Sequence, residues 1–455
     1  MMFFAMTTRM KTLAAVCFVA FAPAASAETL ADALTYAYDH SGLIEQNRAL
    51  LRAADEDVAL AVAATMPVIN WSATATTTAP RASGADLIAA NASISANLVI
   101  YDSGANQLAI DAQKELVLGT RQSLRNVEQQ ILLRAVEAYM NVRRDSEFVT
   151  LRQNNVRLIT EEFRAAQDRF EVGEVTRTDV SLAEARLAAA RSLLAAADGS
   201  LVRSGEEFRS AVGRSPGRLA PVSPAPVARN VGDAKAYAVR NHPNILEVQH
   251  GVSAAELNIR RAEAANNPTI SLNAQLGVDD DIDFGRQVGV TLSGPIYQGG
   301  RLSSLVRQFM ARRDAARAGL HITRLGLEQQ VGNAYSFLEV ARASRQASEQ
   351  QIRAATVAFR GVREEATLGA RTTLDVLNAE QELLNARANQ ISAQADEVIA
   401  SYTMLSATGL MTAEHLGLPV QQYDPSAYYN LVKDAPTSTS DQGAALDRVL
   451  RAIGD

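Results

Sequence analysis

The chain has 455 residues, 47% hydrophobic and 21% charged, with a formal net charge of −6, a balance that supports a folded protein and excludes wholesale disorder. Aromatic residues make up only 5%, and 81 alanines and 40 arginines stand against four lysines, which suits closely packed helices better than a catalytic α/β domain. There is no basic stripe, which argues against nucleic acid as a partner.

Residues 1–27 read as a secretory signal peptide: Arg9 and Lys11, an apolar run from Leu13 to Ala22, and the small-residue cleavage site Ala25-Ser26-Ala27. The exported chain then begins at Glu28. The only cysteine, Cys17, lies in the removed segment, so disulfides, thiol catalysis and thiolate-held metals are excluded. No later run of about 18 apolar residues follows, so any membrane crossing must be made by strands.

A first repeat spans residues 28–214. Its Ala-rich helix from Leu43 to Met66 stops at Pro67, because proline lacks the N–H that a helix interior needs. Two strands follow, at about 68–77 and 92–101. No proline occurs from Arg81 to Ser215, which predicts a long helix from Ala105 to Val172, a turn at Gly173 and a second helix from Arg177 to Gly213. A linker over 215–232 carries Pro216, Pro221, Pro224 and Pro226. The second repeat, 233–418, has its helix-strand junction at Pro268, strands at about 269–278 and 287–297, a long helix from Arg301 to Leu368 and a turn at Gly369. The tail, 419–455, reads as loose, with a short helix from Ala444 to Ile453. The halves match at an offset of 201 (Pro67 with Pro268, Ile69 with Ile270), then at 196 (Tyr139 with Tyr335, Asp179-Val180 with Asp375-Val376). This is a duplication with one loop shortened by five residues.

All four strand segments alternate. Ile69, Trp71, Ala73 and Ala75 oppose Asn70, Ser72, Thr74 and Thr76; Ile270, Leu272, Ala274, Leu276 and Val278 oppose Thr269, Ser271, Asn273 and Gln275. The polar face holds Ser, Thr, Asn and Gln rather than Lys or Glu, as a wet lumen behind a lipid-facing wall requires. Four strands cannot close a barrel, and open edges in lipid leave backbone groups unpaired, so the barrel must be shared among chains. Trp71, the only tryptophan, fits the membrane interface; a place in a helix-strand junction core is its other reading. The long helices, 68 residues each, would reach about 100 Å, far more than a membrane. The fold class is therefore mixed α/β membrane protein: mainly long helices, with four strands per chain given to a shared barrel.

This order of elements, with the duplication, the run Thr29 to Leu34, the segment Gly369 to Arg387, the turn Pro295 to Gly300 and the junction prolines Pro67 and Pro268, resembles the TolC family of outer-membrane channel proteins. The resemblance implies a homotrimer in which three protomers form one 12-stranded barrel, continued by a 12-helix tunnel across the periplasm, with the linker and the 419–455 tail packed as an equatorial belt around its middle. It further implies a periplasmic adaptor and an inner-membrane transporter of the ABC type as partners, contact with outer-membrane lipid, no cofactor and no enzymatic activity.

Two equivalent segments carry the candidate site, Gly173 to Asp179 and Gly369 to Asp375. Each reads as a glycine helix stop followed by a Thr-x-x-Asp capping box opening the next helix. By resemblance the turns form the periplasmic tip: Asp375 matches a pore-constriction aspartate, and Thr178, Asp179 and Arg371 match residues that hold the tip closed. Asn378 stands where a second aspartate ring would be, and Ala366 where an aromatic would join the closing network. The five histidines have no ligand spacing, and Asp279 to Asp281 with Asp283 reads as a solvated loop or a weak calcium site, with no metal site assigned. The function expected is the outer-membrane exit duct of type I protein secretion. Small-molecule efflux and, in another class, a periplasmic coiled-coil adaptor or scaffold are the alternatives.

Overall fold

The computed structural model describes residues 27–77, 89–279 and 281–454, so the expected signal peptide lies outside it except for Ala27. The first half runs α1 (Leu30–Asp39), α2 (Gly42–Ala63), β1 (Val68–Thr76), β2 (Ala89–Tyr101), α3 (Ala105–Glu171) and α4 (Arg177–Val212). The second repeats it as α5 (Val231–Asn241), α6 (Pro243–Ala264), β3 (Thr269–Asp279), β4 (Phe284–Ser293), α7 (Arg301–Thr367) and α8 (Thr373–Thr408), before α9 (Pro425–Val432) and α10 (Asp441–Gly454). α1, α2 and β1 start 201 residues before α5, α6 and β3, whereas α3 and α4 start 196 before α7 and α8.

Local chemistry sets these boundaries. Thr29 and Asp32 form a capping box at α1, and Pro243 occupies the first turn of α6, where a missing N–H costs no hydrogen bond. Gly104 and Gly300 begin α3 and α7 at the same left-handed φ of 81°. The four strands form one antiparallel sheet in the order β1-β2-β3-β4.

Two strand boundaries differ from the sequence reading. β2 begins at Ala89 rather than 92, because Thr76 pairs with Ala89 and Ala75 with Ala90. β4 covers Phe284–Ser293 rather than 287–297: Phe284 pairs with Val278 across the turn, and the chain leaves the sheet at Gly294-Pro295. Pro295 has no N–H for the ladder, and a Cβ on Gly294 would lie 3.1 Å from the Pro268 Cα, so this crossing point accepts only glycine without a shift. Ile296 is therefore outside the sheet.

α3 packs against α2, α4, α6 and α8, while α7 packs on α6 and α8. With 67 residues each, α3 and α7 are about 100 Å long. α7 buries a single stripe, Leu327, Val331, Ala334, Leu338 and Ala341, and leaves Ile322, Val340 and Val357 more than 60% exposed. A helix that buries one face only is an edge helix.

The largest core lies at the waist, where Leu34, Tyr139, Phe208 and Met411 are buried together. The linker is fixed there. The Tyr139 hydroxyl lies 2.8 Å from the carbonyls of Glu28 and Ala220, and Tyr335, its counterpart in the repeat, donates to the Arg229 carbonyl at 3.0 Å. Of the two readings of the tail, loose by composition or packed as a belt by resemblance, the described contacts favour packing, here onto α2: Val432 is fully buried with Ala59 and Leu446, and the Tyr428 hydroxyl donates to Glu56 at 2.6 Å. Its apolar and tyrosine contacts offset the ordering entropy that its Thr/Ser-rich composition suggested it could not.

Candidate functional site

The α3–α4 and α7–α8 turns are built alike. After α3, Gly173 takes φ 81°, its N–H donates to the Phe170 carbonyl, and the Glu174 N–H reaches back to Arg169 at 2.8 Å. After α7, Gly369 takes φ 76°, with Gly369 to Ala366 and Ala370 to Glu365 bonds in the same places. This pattern satisfies the last carbonyls of a helix and needs a left-handed residue at its end, hence glycine.

Each turn then opens the next helix with a complete capping box. The Thr176 N–H and hydroxyl donate to Asp179 Oδ2 at 2.9 and 2.7 Å, and the Asp179 N–H returns to the Thr176 hydroxyl. Thr372 and Asp375 repeat this at 3.0 and 2.8 Å. The bonds favour the ionised form, so both carboxyls are held below the ordinary aspartate value, Asp179 chiefly by the Thr176 hydroxyl and Asp375 chiefly by the Thr372 N–H. Thr178 is exposed beside Asp179, and Asn378 is exposed one turn after Asp375.

Arg371 pairs across its own turn with Glu365 Oε2 at 2.8 Å, and Asp375 adds to its field. The described contacts therefore place Arg371 within the α7–α8 hairpin, and the links from that hairpin to α3 and α4 are made, apart from Asn378, by residues the sequence reading missed. Arg186 of α4 donates to the Asn378 side chain at 3.3 Å, Arg363 of α7 approaches Glu162 of α3 at 3.7 Å, and Asn155 of α3 donates to Glu380 Oε1 of α8 at 2.9 Å. Leu377 of α8 is buried beside Ile159 of α3 and Leu187 and Ala190 of α4. Glu380 is only 4% exposed, and its Oε2 has no partner. Burial pushes its pKa up to about 7, further raised by Glu162 and opposed by Asn155, Arg363 and Arg186. The spacing Val376, Leu377, Glu380, Leu383, Leu384 did carry a signal, since it sets a carboxylate in an apolar helical seam.

At the other end the sheet has two unlike faces. On one, Asn97 donates to Asn273, Asn273 donates to Thr291, and Ser72 meets Ser93 at 2.9 Å, a cross-strand ladder of small polar groups. On the other, Ile69, Trp71, Ile94, Leu276, Phe284, Val288 and Val290 are more than half exposed, Trp71 at 80%. Trp71 is thus on the apolar face and not in a junction core. The junction prolines Pro67 and Pro268 directly precede β1 and β3. Among the described residues β1 and β4 leave their outer edges unpaired. In the acidic turn the Asp283 N–H donates to Asp279 Oδ1 at 2.9 Å, Asp280 lies outside the described residues, and among those described no three potential ligands cluster as a metal site. No described helix is long and apolar enough to cross a membrane.

A tunnel-length helical hairpin pair ending in matched turns, joined to a sheet with one apolar exposed face, invites comparison with known channels. The outer membrane efflux protein family matches residues 36–214 and 237–410. The chain belongs to that family. It is 38% identical over 424 residues to the outer membrane efflux protein BepC of Brucella suis, covering 90% of this chain and 92% of that one. It is also similar to the alkaline protease secretion protein AprF of Pseudomonas aeruginosa, 26% identical over 274 residues and 57% of each chain. Among solved structures it superposes on CusC with a TM-score of 0.77 at 15% identity, over 84% of this chain and 92% of CusC, a likeness of fold. Family membership and the two-faced sheet together disfavour the adaptor or scaffold alternative.

Proposed function

We propose that this efflux-family protein is the passive outer-membrane exit duct of a three-part export machine, working as a homotrimer. The observation that carries the reading is the sheet: four antiparallel strands, apolar on one face and lined with Ser, Thr and Asn on the other, with both edges open. In lipid such a sheet must close with others, and three copies give twelve strands, within the range of outer-membrane barrels. The helices continue the duct into the periplasm, where a periplasmic adaptor engages it and an inner-membrane ABC-type transporter supplies the energy. The chain itself holds no cofactor and catalyses no reaction. Arrival through a cleaved signal peptide at residues 1–27 belongs to the same reading.

The cargo proposed is protein, through type I secretion. The similarity to AprF, named for secreting a protease, supports it. Small-molecule efflux is the second reading, supported by the longer match to BepC, an efflux protein by name. A deletion strain separates them. Loss of a secreted protein from the medium with unchanged sensitivity to toxic compounds is the result expected. Unchanged secretion with raised sensitivity would replace secretion by efflux, and recovery of the chain as a soluble periplasmic monomer would overturn both.

A further inference from the structure

The apolar face of the sheet carries one charge. Strand register runs Trp71 opposite Ile94, Ile94 opposite Leu276 and Leu276 opposite Arg286, so Arg286 shares a face with Trp71 and not with the polar ladder. Along β4 it alternates with Phe284 and Val288, which are 83% and 76% exposed. No other charged residue lies on this face of the four described strands.

Of the described acids nearby, Asp279 and Asp283 do not neutralise it. Asp279 pairs with Asn91, on the Asn and Ser side of the ladder, so strand alternation sends it to the face opposite Arg286, while Asp283 lies in the turn just before Phe284. Asp279 Oδ1 is already taken by the Asp283 N–H. Among the described residues no carboxylate pairs with Arg286. Its position explains why the charge is tolerated. Arg286 is the third residue of β4, next to the short turn that joins β3 and β4. An arginine on a lipid-facing strand is costly at mid-bilayer but nearly neutral near the interface, where its stem can lie along apolar surface while the guanidinium reaches the headgroups. With no described carboxylate as its partner, Arg286 suits a counter-charge from outside the chain, and a guanidinium fork matches a phosphate in two parallel hydrogen bonds.

We propose that Arg286 binds the phosphate group of a membrane lipid at the outer rim of the barrel, with Leu276, Phe284 and Val288 contacting its acyl chains. The proposal rests on the outer-membrane reading above. Native mass spectrometry of the full-length, detergent-extracted protein titrated with diphosphoryl lipid A, dephosphorylated lipid A and phosphatidylglycerol tests it. Wild type is expected to retain the phosphorylated glycolipid about tenfold better than its dephosphorylated form, the scale of one charge-assisted contact. Arg286→Gln should abolish that preference and Arg286→Lys should keep part of it. Equal retention of phosphatidylglycerol would identify the ligand as any lipid phosphate, and weak retention would identify it as the glycolipid. Either supports the phosphate contact. Retention by Arg286→Gln equal to wild type, or no preference in wild type, would overturn it. A chain that stays soluble without detergent would instead remove the membrane reading beneath it.

Discussion

At Asp375 the carboxylate that closes the capping box of α8 uses Oδ2 alone, shared by the Thr372 N–H and hydroxyl. The other oxygen has no part in that box, so one residue can both start a helix and present charge to a pore. In the proposed trimer three such carboxylates face one axis and attract cations in a confined, poorly screened space. Their lowered pKa keeps the ring charged as the pH falls toward the ordinary aspartate value. Asp375→Asn retains an oxygen for the cap while removing the charge. In single-channel recording it should lower the cation-to-anion permeability ratio and weaken block by multivalent cations; unchanged selectivity and block would exclude the ring. Asn378→Asp is the complementary change. It adds a second carboxylate and turns the 3.3 Å Arg186 contact into an ion pair, so cation selectivity should rise and conductance fall.

Among the elements, the α8 seam decides how firmly the α7–α8 hairpin rests on α3 and α4. Glu380 sits in that seam with one hydrogen bond, from Asn155, and one unpartnered oxygen. Its pKa, raised from 4.5 to about 7 while docked, returns to the lower value if the hairpin moves away and the group is hydrated. The protonated form therefore favours docking: the stabilisation is complete below 4.5 and is lost as the pH rises to about 7. The effect is on the order of 3 kcal/mol from a shift of this size. Hydrogen exchange should show weaker protection around Asn155 and Glu380 at pH 8 than at pH 5 in wild type, and equal protection at both in Glu380→Gln. A wild type indifferent to pH would refute this. The seam also shows what a sequence can and cannot reveal. The capping boxes, glycine stops, strand alternation and repeat were legible because each is a pattern within a few residues or a constant offset. The Arg186–Asn378 and Asn155–Glu380 contacts span 192 and 225 residues, and only the packing of two hairpins brings them together. The end of β4 was misread because Ile296 continues the alternation, whereas Pro295 breaks the ladder.

For the whole molecule, the unfinished surfaces are consistent with one another. α7 buries one stripe and leaves Ile322, Val340 and Val357 exposed over its length, and in the same chain β1 and β4 end the sheet with free edges. In the proposed trimer the open edges of the sheet and the bare face of α7 are both covered by a neighbouring copy on each side, with α7 of one chain against the α2–α4 side of the next. A rotational three-chain ring satisfies this without leaving an end. The energy of the contact is hydrophobic and can be probed at one residue. Burying a valine side chain contributes about 1.5–3 kcal/mol, and placing a charge there adds desolvation cost once per interface. Val340→Asp, a change at a position 63% exposed in the single chain, should leave the protomer's own core intact while shifting the detergent-extracted protein from trimer to monomer. Mass photometry reads the difference directly. A trimer as abundant as wild type would mean that α7 faces something other than the next copy, and the helical part of the duct would have to close by a different seam.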